Sequence, residues 1–349
     1  MERIKSITPL VPDAMESARQ QWDSIAKPLG SLGLLEKAVI QIAGITGTAD
    51  VSLHNRCVVV MCADNGVVCE GVTQTGSEVT GIVARAIAGG TSNVNLLAAR
   101  FGASVFPVDI GMKEEIFSSR IAHRKISYGT RNIAEGAAMT PDEAQRAVAV
   151  GMDVVRGLKE KGYHLIVTGE MGIGNTTTSS AIASVLLNLP PESVTGRGAG
   201  LSDEGLKKKT EVIRRAIAVN QPDSSKPLEL LAKLGGYDIA GMTGLFLGGA
   251  VYRVPVVIDG FISAVSAALA AEICPLSKEY MLCSHVSKEP AGSRMLEFLG
   301  KKPLITAELC LGEGTGGLFL LPLLDGALAV YRSAHRFDSL PMERYVALT

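Results

Sequence analysis

Short runs of apolar residues alternate along the chain with longer stretches in which apolar positions recur at helical spacing. The short runs predict strands over residues 57–63, 104–110, 164–168, 254–258 and 281–284. The longer stretches predict helices over residues 31–45, 78–100, 141–161, 203–219, 261–273 and 317–332. Strands that lack polar alternation and are separated by helices are typical of a parallel sheet covered on both faces. The pattern therefore predicts a doubly wound α/β fold.

The two ends of the chain contain no convincing strand. A chain of 349 residues is long enough for one large domain or two unequal ones. We therefore predict a small helical domain formed by residues 1–50 together with residues 333–349. Residues 51–332 form the α/β catalytic domain in this prediction.

Composition and charge exclude several classes of protein. Hydrophobic residues make up 47% of the chain and charged residues 20%, which is too apolar for a disordered protein. Lysine and arginine number 34 against 35 aspartate and glutamate, so no basic excess is present to neutralise a nucleic-acid backbone. The longest uncharged stretch, residues 171–191, carries Asn, Thr and Ser residues, which argues against a membrane helix.

The first residues and the cysteines indicate the compartment. No long apolar run follows the start of the chain, so a secretory signal is not expected. The six cysteines form no CxxC pair, which favours buried free thiols in a reducing environment. We therefore expect a cytoplasmic protein that binds neither nucleic acid nor a membrane.

Four of the predicted strands lead directly into polar or glycine-rich turns. These turns lie at residues 63–66, 169–177, 259–260 and 284–289. In open α/β sheets, ligands bind at the carboxyl ends of the strands, where the N-terminus of a helix often faces an anion. This distribution of polar turns is typical of an enzyme.

The turn at residues 169–177 is the best candidate for a phosphate-binding loop. It places three glycines between a predicted strand and a helix, and Asn175 and three threonines follow. The loop lacks the lysine of a Walker motif and the third glycine of a GxGxxG motif. A plain strand-to-helix turn therefore remains the alternative.

Two further glycine-rich segments carry charged residues. Residues 196–200 precede a predicted helix, and Lys207, Lys208 and Lys209 follow one turn into it. Consecutive lysines point in different directions around a helix, so a solvated helix face explains this run as well as a ligand site does. Residues 311–317 place Glu313 among four glycines, where apolar surroundings would raise the pKa of its carboxyl group toward that of a useful base. A helix cap is the alternative for this carboxylate.

No metal site or nucleophilic motif is expected. The five histidines are scattered without the spacing of metal ligands, and no GxSxG motif is present. The Asp-Asn-Gly and Asp-Gly turns lack the adjacent acidic pair that magnesium-dependent transferases use, and they are equally explained as turn residues.

The motifs taken together resemble the nicotinate-nucleotide–dimethylbenzimidazole phosphoribosyltransferase family, whose members act in the synthesis of the lower ligand of cobalamin. Seven matching segments occur in the expected order, at residues 63–80, 168–182, 196–209, 235–244, 257–271, 284–292 and 311–317. Residues 27–33 are similar to the N-terminal segment of the family. The resemblance implies a large Rossmann-like domain with a small helical domain built from both chain ends, and a homodimer.

The resemblance also implies a reaction. A 5-phosphoribosyl group passes from nicotinate mononucleotide to 5,6-dimethylbenzimidazole or a related base, and the products are α-ribazole 5′-phosphate and nicotinate. The reaction calls for no cofactor and no metal. It requires a base for the N–H proton of the benzimidazole, and Glu313 matches the catalytic glutamate of the family. Attack at C1′ is expected to invert its configuration.

The resemblance assigns further residues position by position. Those expected at the phosphoribosyl group of the donor are Glu170, Gly172, Gly174, Asn175, Thr176 and Lys209. Those expected to line the pocket of the acceptor base are Thr75, Val83 and Leu311. Ser284 and Glu289 lie in a matched loop near the site.

Several departures from the family pattern fall on the acceptor side. Asn65 stands where many members carry His, Thr75 and Gly76 replace a more usual pair that ends in Pro, and Val83 replaces a frequent Gln. We therefore hypothesise that the chain accepts a base that is broader than, or different from, dimethylbenzimidazole. Three alternatives remain open. The first is a relative that activates a phenolic or purine base, alone or paired with a homologous second chain. The others are a dinucleotide-dependent oxidoreductase and a binding protein that kept the loops.

Overall fold

The fold is built on a sheet of six parallel strands in a computed structural model that describes residues 2–346. The strands are β1 (Arg56–Ala63), β2 (Ala103–Gly111), β3 (Ala122–His123), β4 (Leu165–Met171), β5 (Val256–Ile258) and β6 (Met281–Cys283). Their order across the sheet is β3-β2-β1-β4-β5-β6, and each neighbouring pair is parallel. The predicted α/β fold with a doubly wound, Rossmann-like sheet is therefore confirmed, and all five predicted strands are present. The prediction missed β3, whose two residues are too few to make a pattern.

Helices cover both faces of the sheet. Within the described residues the sheet is flanked by α1 (Pro12–Ser24), α2 (Leu34–Thr46), α3 (Glu78–Gly89), α4 (Asn93–Arg100), α5 (Pro141–Glu160), α6 (Asn175–Leu187), α7 (Asp203–Asn220), α8 (Pro227–Leu234), α9 (Tyr237–Tyr252), α10 (Phe261–Ile273), α11 (Gly292–Phe298), α12 (Thr315–Leu318) and α13 (Leu320–Ser333). None of them combines the length and the apolar character needed to cross a bilayer.

The central strands are apolar throughout because both of their faces are buried. In β1, Val59 and Met61 belong to a core that packs against helices α5 to α11. Val58 and Val60 face the opposite way, into a core shared with α1 to α4, α12 and α13. Successive side chains of a strand point to opposite faces, so a strand between two helical layers needs apolar residues at every position.

One predicted helix is wrong in its extent, because residues 78–100 form two helices. Gly90 adopts a left-handed conformation with φ of 82° and ends α3. Ser92 then begins α4 as its N-cap, and its hydroxyl lies 2.6 Å from the side-chain oxygen of Asn95. The break brings the N-terminus of α4 to the edge of the sheet where the strands end. The predicted helix over 317–332 is likewise divided into α12 and α13.

The chain ends meet on one face of the molecule. The ring of Trp22 in α1 lies 4.9 Å from the ring of Tyr331 in α13, and Ile25 pairs with Arg336 in an isolated β-bridge. Arg3, which precedes α1, forms an ion pair with Asp153 of α5, with 2.7 Å between the guanidinium nitrogen and Oδ1. The predicted division into 1–50 with 333–349 and 51–332 stays a prediction, and residues 347–349 lie outside the described residues.

Candidate active site

The candidate active site is a cavity of about 280 Å³ at the edge of the sheet where the strands end. Its walls come from the loops that follow β4, β5 and β6, from residues 309–316 and from Val83 of α3. Parallel strands place their carboxyl ends along one edge, which is why segments far apart in the sequence meet there.

The loop between β4 and α6 forms one wall of the cavity. Gly174 has a φ of 95° and begins α6, so a glycine is required at this turn. Gly172 leaves no room for a Cβ atom, because that atom would overlap a carboxylate oxygen of Asp238. The loop therefore brings its backbone and the N-terminus of a 13-residue helix to the cavity, an arrangement that favours an anion.

A buried lysine stands beside this helix N-terminus. Lys209 of α7 has only 1% of its surface exposed, and its Nζ atom lies 2.8 Å from Thr176 Oγ1 and 3.1 Å from the carbonyl oxygen of Gly196. Burial lowers the pKa of Lys209 to about 8, while the nearby carboxylate of Glu289 acts in the opposite direction. The neighbouring Lys207 and Lys208 are both exposed. One cation and one helix dipole thus face the same end of the cavity.

Glu313 lies in a strained turn on another wall. Its φ is 61°, and Gly312 and Gly314 on either side have φ values of 89° and 85°. Holding a non-glycine residue in the left-handed region costs on the order of 1 kcal/mol, so the surrounding contacts must fix this turn. A Cβ atom on Gly169 of β4 would lie 2.5 Å from the carbonyl oxygen of Glu313, which shows how closely the strand supports it.

The carboxylate of Glu313 faces the N-terminus of α4. Its Oε2 atom accepts a long hydrogen bond of 3.4 Å from the backbone N–H of Val94. Burial raises the pKa of Glu313, while the Val94 N–H and the Ser92 hydroxyl lower it. This carboxylate is therefore more basic than an ordinary glutamate and is still stabilised in its charged form at the helix end.

Asp259 holds the chain just beyond Glu313. Its Oδ1 atom accepts a hydrogen bond of 2.6 Å from the backbone N–H of Gly317, in the first turn of α12. Burial raises the pKa of Asp259 to about 7, and backbone N–H groups, that of Gly317 first among them, act in the opposite direction. The carboxyl group thus ties the end of β5 to the turn that carries Glu313.

A second pair of carboxyl groups shares one amide. The Nδ2 atom of Asn175 donates to Glu170 and, at 3.1 Å, to Oδ2 of Asp238. Burial, followed by the charge of Asp238, raises the pKa of Glu170 well above its usual range. Burial also raises the pKa of Asp238, to about 6. Glu170 therefore holds its proton more tightly than an ordinary glutamate, and its carboxyl group lines the cavity.

Comparison with known proteins identifies the family. A family profile described as phosphoribosyltransferase matches residues 7–340. The curated nicotinate-nucleotide–dimethylbenzimidazole phosphoribosyltransferase of Ruminiclostridium cellulolyticum is 45% identical over 347 residues, which cover 99% of this chain and 99% of that protein. The chain belongs to the nicotinate-nucleotide–dimethylbenzimidazole phosphoribosyltransferase family.

Further relatives of this phosphoribosyltransferase family agree in sequence and in fold. The curated enzyme of the same name from Acetivibrio thermocellus is 43% identical over 344 residues, with 99% of this chain and 98% of the relative covered. The crystal structure of CobT from Thermus thermophilus superposes with a TM-score of 0.90 at 36% identity. That superposition covers 96% of this chain and 100% of the other.

The structure brings most of the predicted phosphoribosyltransferase site residues to one cavity. Residues that line it are Glu170, Gly172, Asn175, Thr176, Val83, Leu311 and Glu313. Gly174 and Lys209 lie directly behind this lining, through the α6 N-terminus and through Thr176. Thr75 lies outside it, on an exposed loop whose neighbour Gln74 contacts the carbonyl oxygen of Gly200. Ser284 is buried behind the cavity, and Glu289 lines it. The roles of these residues stay predictions.

Sequence reasoning missed the residues that hold the phosphoribosyltransferase site from behind. Asp238 lies inside the matched segment 235–244, but nothing in its spacing links it to Asn175, which is 63 positions away. Ser92 was hidden inside a predicted helix, although the Gly89–Gly90 pair before it is a helix-ending pattern.

The six cysteines are free as expected, but Cys69 and Cys310 are exposed rather than buried, because they lie in a turn and a loop. Within residues 2–346 no cluster of three or more His, Cys, Asp or Glu is placed to hold a metal ion.

Proposed function

We propose that this chain transfers the 5-phosphoribosyl group of nicotinate mononucleotide to 5,6-dimethylbenzimidazole or a related base. The products are α-ribazole 5′-phosphate and nicotinate. Membership of the phosphoribosyltransferase family supports this reaction and both substrates. The observation that carries the assignment of roles is the geometry of the cavity. A basic carboxylate, that of Glu313, and the N-terminus of α6, with the buried cation of Lys209 behind it, border the same cavity.

The phosphate of the donor binds at the end of the cavity near Lys209. Thr176 contributes a hydroxyl there, and the α6 N-terminus contributes backbone N–H groups. The carboxyl group of Glu170 forms a hydrogen bond with the donor from the adjacent wall. This arrangement fixes the donor at the phosphate and leaves C1′ of the ribose free to react.

The acceptor base binds on the side lined by apolar residues. Val83, Leu309 and Leu311 all face the cavity and suit a flat aromatic ring with few polar groups. Because Val83 offers no hydrogen bond, the pocket selects bases by shape more than by polar edge groups. Competition among benzimidazole, its methylated and methoxylated forms, adenine and p-cresol measures that selectivity. Equal use of several benzimidazoles is expected, and a strong preference for the dimethyl form contradicts a broad pocket.

The reaction is an exchange of one nitrogen for another at C1′. A ring nitrogen of the base attacks C1′ while the bond from C1′ to the nicotinate nitrogen breaks, and that electron pair returns to the pyridine ring. Glu313 takes up the proton that the base must lose. The leaving ring nitrogen is already cationic in the donor, so no strong general acid is needed. Attack from the opposite face inverts C1′ and converts a β-nucleotide into an α-product.

The test is a product assay with both substrates. Purified protein is mixed with nicotinate mononucleotide and dimethylbenzimidazole, and nicotinate and α-ribazole 5′-phosphate are followed by chromatography. We expect the two products in equal amounts, and only when both substrates are present. Release of nicotinate without α-ribazole 5′-phosphate would mean hydrolysis and would contradict the proposal.

We further propose a homodimer located in the cytoplasm. The dimer rests on the family resemblance, and the location rests on the six free cysteines, which suit a reducing compartment. Light scattering after size-exclusion chromatography is expected to give twice the mass of one chain, and a single-chain mass would contradict the dimer.

A further inference from the structure

A histidine on the wall of the cavity has no role in the proposed reaction. His285 follows β6, has 3% of its surface exposed and lines the cavity. Its imidazole lies against Gly316, where a Cβ atom would overlap the ring. Gly316 comes three positions after Glu313, so the ring packs on the turn that carries the proposed base.

The hydrogen bonds behind the ring fix its tautomer. Ser284 Oγ lies 2.6 Å from the carbonyl oxygen of Ile258, which can only accept, so the single hydroxyl hydrogen is donated there. The same Oγ atom lies 3.1 Å from His285 Nδ1 and must therefore accept from it. Nδ1 carries the hydrogen, and Nε2 is left with a free electron pair.

The free nitrogen lies close to Gly260, another residue of the cavity wall. A Cβ atom on Gly260 would lie 3.6 Å from Nε2 and 3.8 Å from the Cβ atom of Ser287, and all three residues line the cavity. Among residues 2–346, Ser284 is the one hydrogen-bond partner of the His285 imidazole. Burial lowers the pKa of His285 to about 4, so the ring stays neutral around neutral pH. It is a hydrogen-bond acceptor and does not attract an anion.

The chemistry of the two substrates leaves a hydroxyl group as the hydrogen-bond donor to His285 Nε2. Nicotinate and its carboxylate have no hydrogen to donate, and the phosphate belongs with Lys209 and the N-terminus of α6. The N–H group of the base is taken by Glu313. The groups that remain are the two hydroxyls of the ribose, which lies between the phosphate and the reacting carbon.

We propose that Nε2 of His285 accepts a hydrogen bond from a ribose hydroxyl of the donor and so makes the site selective for ribosyl over deoxyribosyl donors. This inference rests on the proposed function, because the ribose belongs to that donor. The backbone N–H groups and Lys209 recognise a phosphate on any sugar, whereas an acceptor at this position recognises the sugar itself.

The test compares two variants of His285, one that replaces Nδ1 and one that replaces Nε2 with an amide group. His285→Asn keeps a donor to Ser284 but does not reach the cavity. His285→Gln places an amide oxygen near the position of Nε2. We expect His285→Asn to lose about 10-fold in kcat/KM for nicotinate mononucleotide, the worth of one hydrogen bond, and His285→Gln to recover most of it. The exposed His123→Asn serves as the control and is expected to keep full activity.

The decisive comparison uses 2′-deoxy and 3′-deoxy nicotinate mononucleotide. If His285 binds one hydroxyl, the loss caused by His285→Asn disappears with the donor that lacks that hydroxyl and persists with the other. A loss of equal size with all three donors overturns the proposal, because it means a structural role. If neither variant folds, the deoxy donors and the nitrogen spectra below decide the matter on the unmodified protein.

Two measurements separate this proposal from the proposed function. Nitrogen-15 spectra of the imidazole are expected to show hydrogen on Nδ1 and a shift of the Nε2 resonance when nicotinate mononucleotide is added. Hydrogen on Nε2 overturns the proposal. Calorimetry of the three donors is expected to give weaker binding for one deoxy form, with no turnover required. Absence of α-ribazole 5′-phosphate with a normal calorimetric result would reject the proposed reaction and leave the ribose contact standing.

Discussion

Glu313 experiences two opposing influences, and their balance sets the pH range in which it is useful. Burial raises the pKa of its carboxyl group, and the N-terminus of α4 lowers it. A carboxyl group affected by burial alone would stay protonated near neutral pH. A carboxyl group affected by the helix N-terminus alone would have too low a pKa to accept a proton from the substrate. The position combines a higher basicity with a helix end that stabilises the charged form.

Replacing this base tests its role directly. Glu313→Gln keeps the shape of the side chain and cannot accept the proton, so we expect turnover to fall by roughly 10²–10⁴-fold, the usual worth of a general base. Donor binding and the melting temperature should change little. The matched control is Glu308→Gln in the same loop, an exposed residue that also has a positive φ. Full activity of Glu313→Gln would contradict the assignment.

Lys209 makes donor recognition depend on pH at the alkaline side. Because burial lowers its pKa to about 8, the lysine is charged below that pH and neutral above it. We therefore expect kcat/KM for nicotinate mononucleotide to fall as pH rises through about 8. Lys209→Arg stays charged and should move this decline to a higher pH. The exposed Lys208→Arg should leave the profile as it is, and an unchanged profile in Lys209→Arg would count against the phosphate role.

At the scale of single residues, the sequence predicted the groups that face the ligand better than those behind them. Glu313 stands out because four glycines surround it, and Asn175 because it follows a strand and a glycine-rich turn. Asp238 could not be found, since its importance comes from one contact with Asn175 across the fold. His285 was visible only as a residue in a matched loop, and its tautomer depends on the position of Ile258.

At the scale of elements, the break between α3 and α4 matters more for the site than either helix does. A continuous helix over residues 78–100 would satisfy the N–H groups of its interior within itself. Ending α3 at Gly90 and starting α4 at Ser92 frees the N–H of Val94 to reach Glu313. The Gly-Gly pair made the break between the two helices predictable. The hydrogen bond from the start of α4 to Glu313 could not be predicted from the sequence.

Ser92→Ala tests this element boundary. Loss of the hydroxyl removes the N-cap of α4, which costs about 1 kcal/mol of stability. It also removes an interaction that lowers the pKa of Glu313, so that pKa rises. The base is then protonated over a wider acidic range, and the acid limb of kcat/KM moves to higher pH. Thr140→Ala, which removes the N-cap of the distant α5, should lower stability similarly and leave the pH profile in place.

The buried helices mark the limit of pattern analysis at this scale. Helix α9 is almost wholly buried, so its apolar positions do not form the stripe by which amphipathic helices are found. It packs closely on α5, and a Cβ atom on Gly151 would overlap the carbonyl oxygen of Gly241. Helices α2, α5 and α7 were predicted because their surfaces are partly exposed or their N-termini carry caps. Helix α10 is nearly as buried as α9 and was predicted from its apolar run alone.

At the scale of the whole molecule, the sheet order explains why one cavity collects residues from the whole chain. Strands β4, β5 and β6 are neighbours, so the loops after them lie side by side even though more than 100 positions separate the first from the last. The parallel arrangement was predictable from the sequence, but the strand order was not. That order follows from packing contacts that no local pattern records.

The junction of the chain ends contributes stability without touching the site. The guanidinium of Arg336 donates to the carbonyl oxygens of Gln21 at 2.8 Å and Tyr331 at 3.0 Å and to the Ser24 hydroxyl at 3.0 Å. Arg336→Met should therefore lower the free energy of unfolding by about 1–3 kcal/mol, measured by denaturant titration, with kcat unchanged. The exposed Arg344→Met is the control and should change stability by much less. Loss of turnover in folded Arg336→Met would mean that the junction also controls the site.

The single tryptophan of the chain is buried at this junction. Trp22 leaves the ribosome more than 300 positions before Tyr331, the residue on which it packs. At roughly 5–20 residues per second, the indole waits for about 15–60 s before its partner exists. During that time α1 and α2 have an apolar face without its cover, and exposed apolar surface of this kind favours aggregation. The fluorescence of Trp22 therefore reports the step of assembly in which α13 packs on α1.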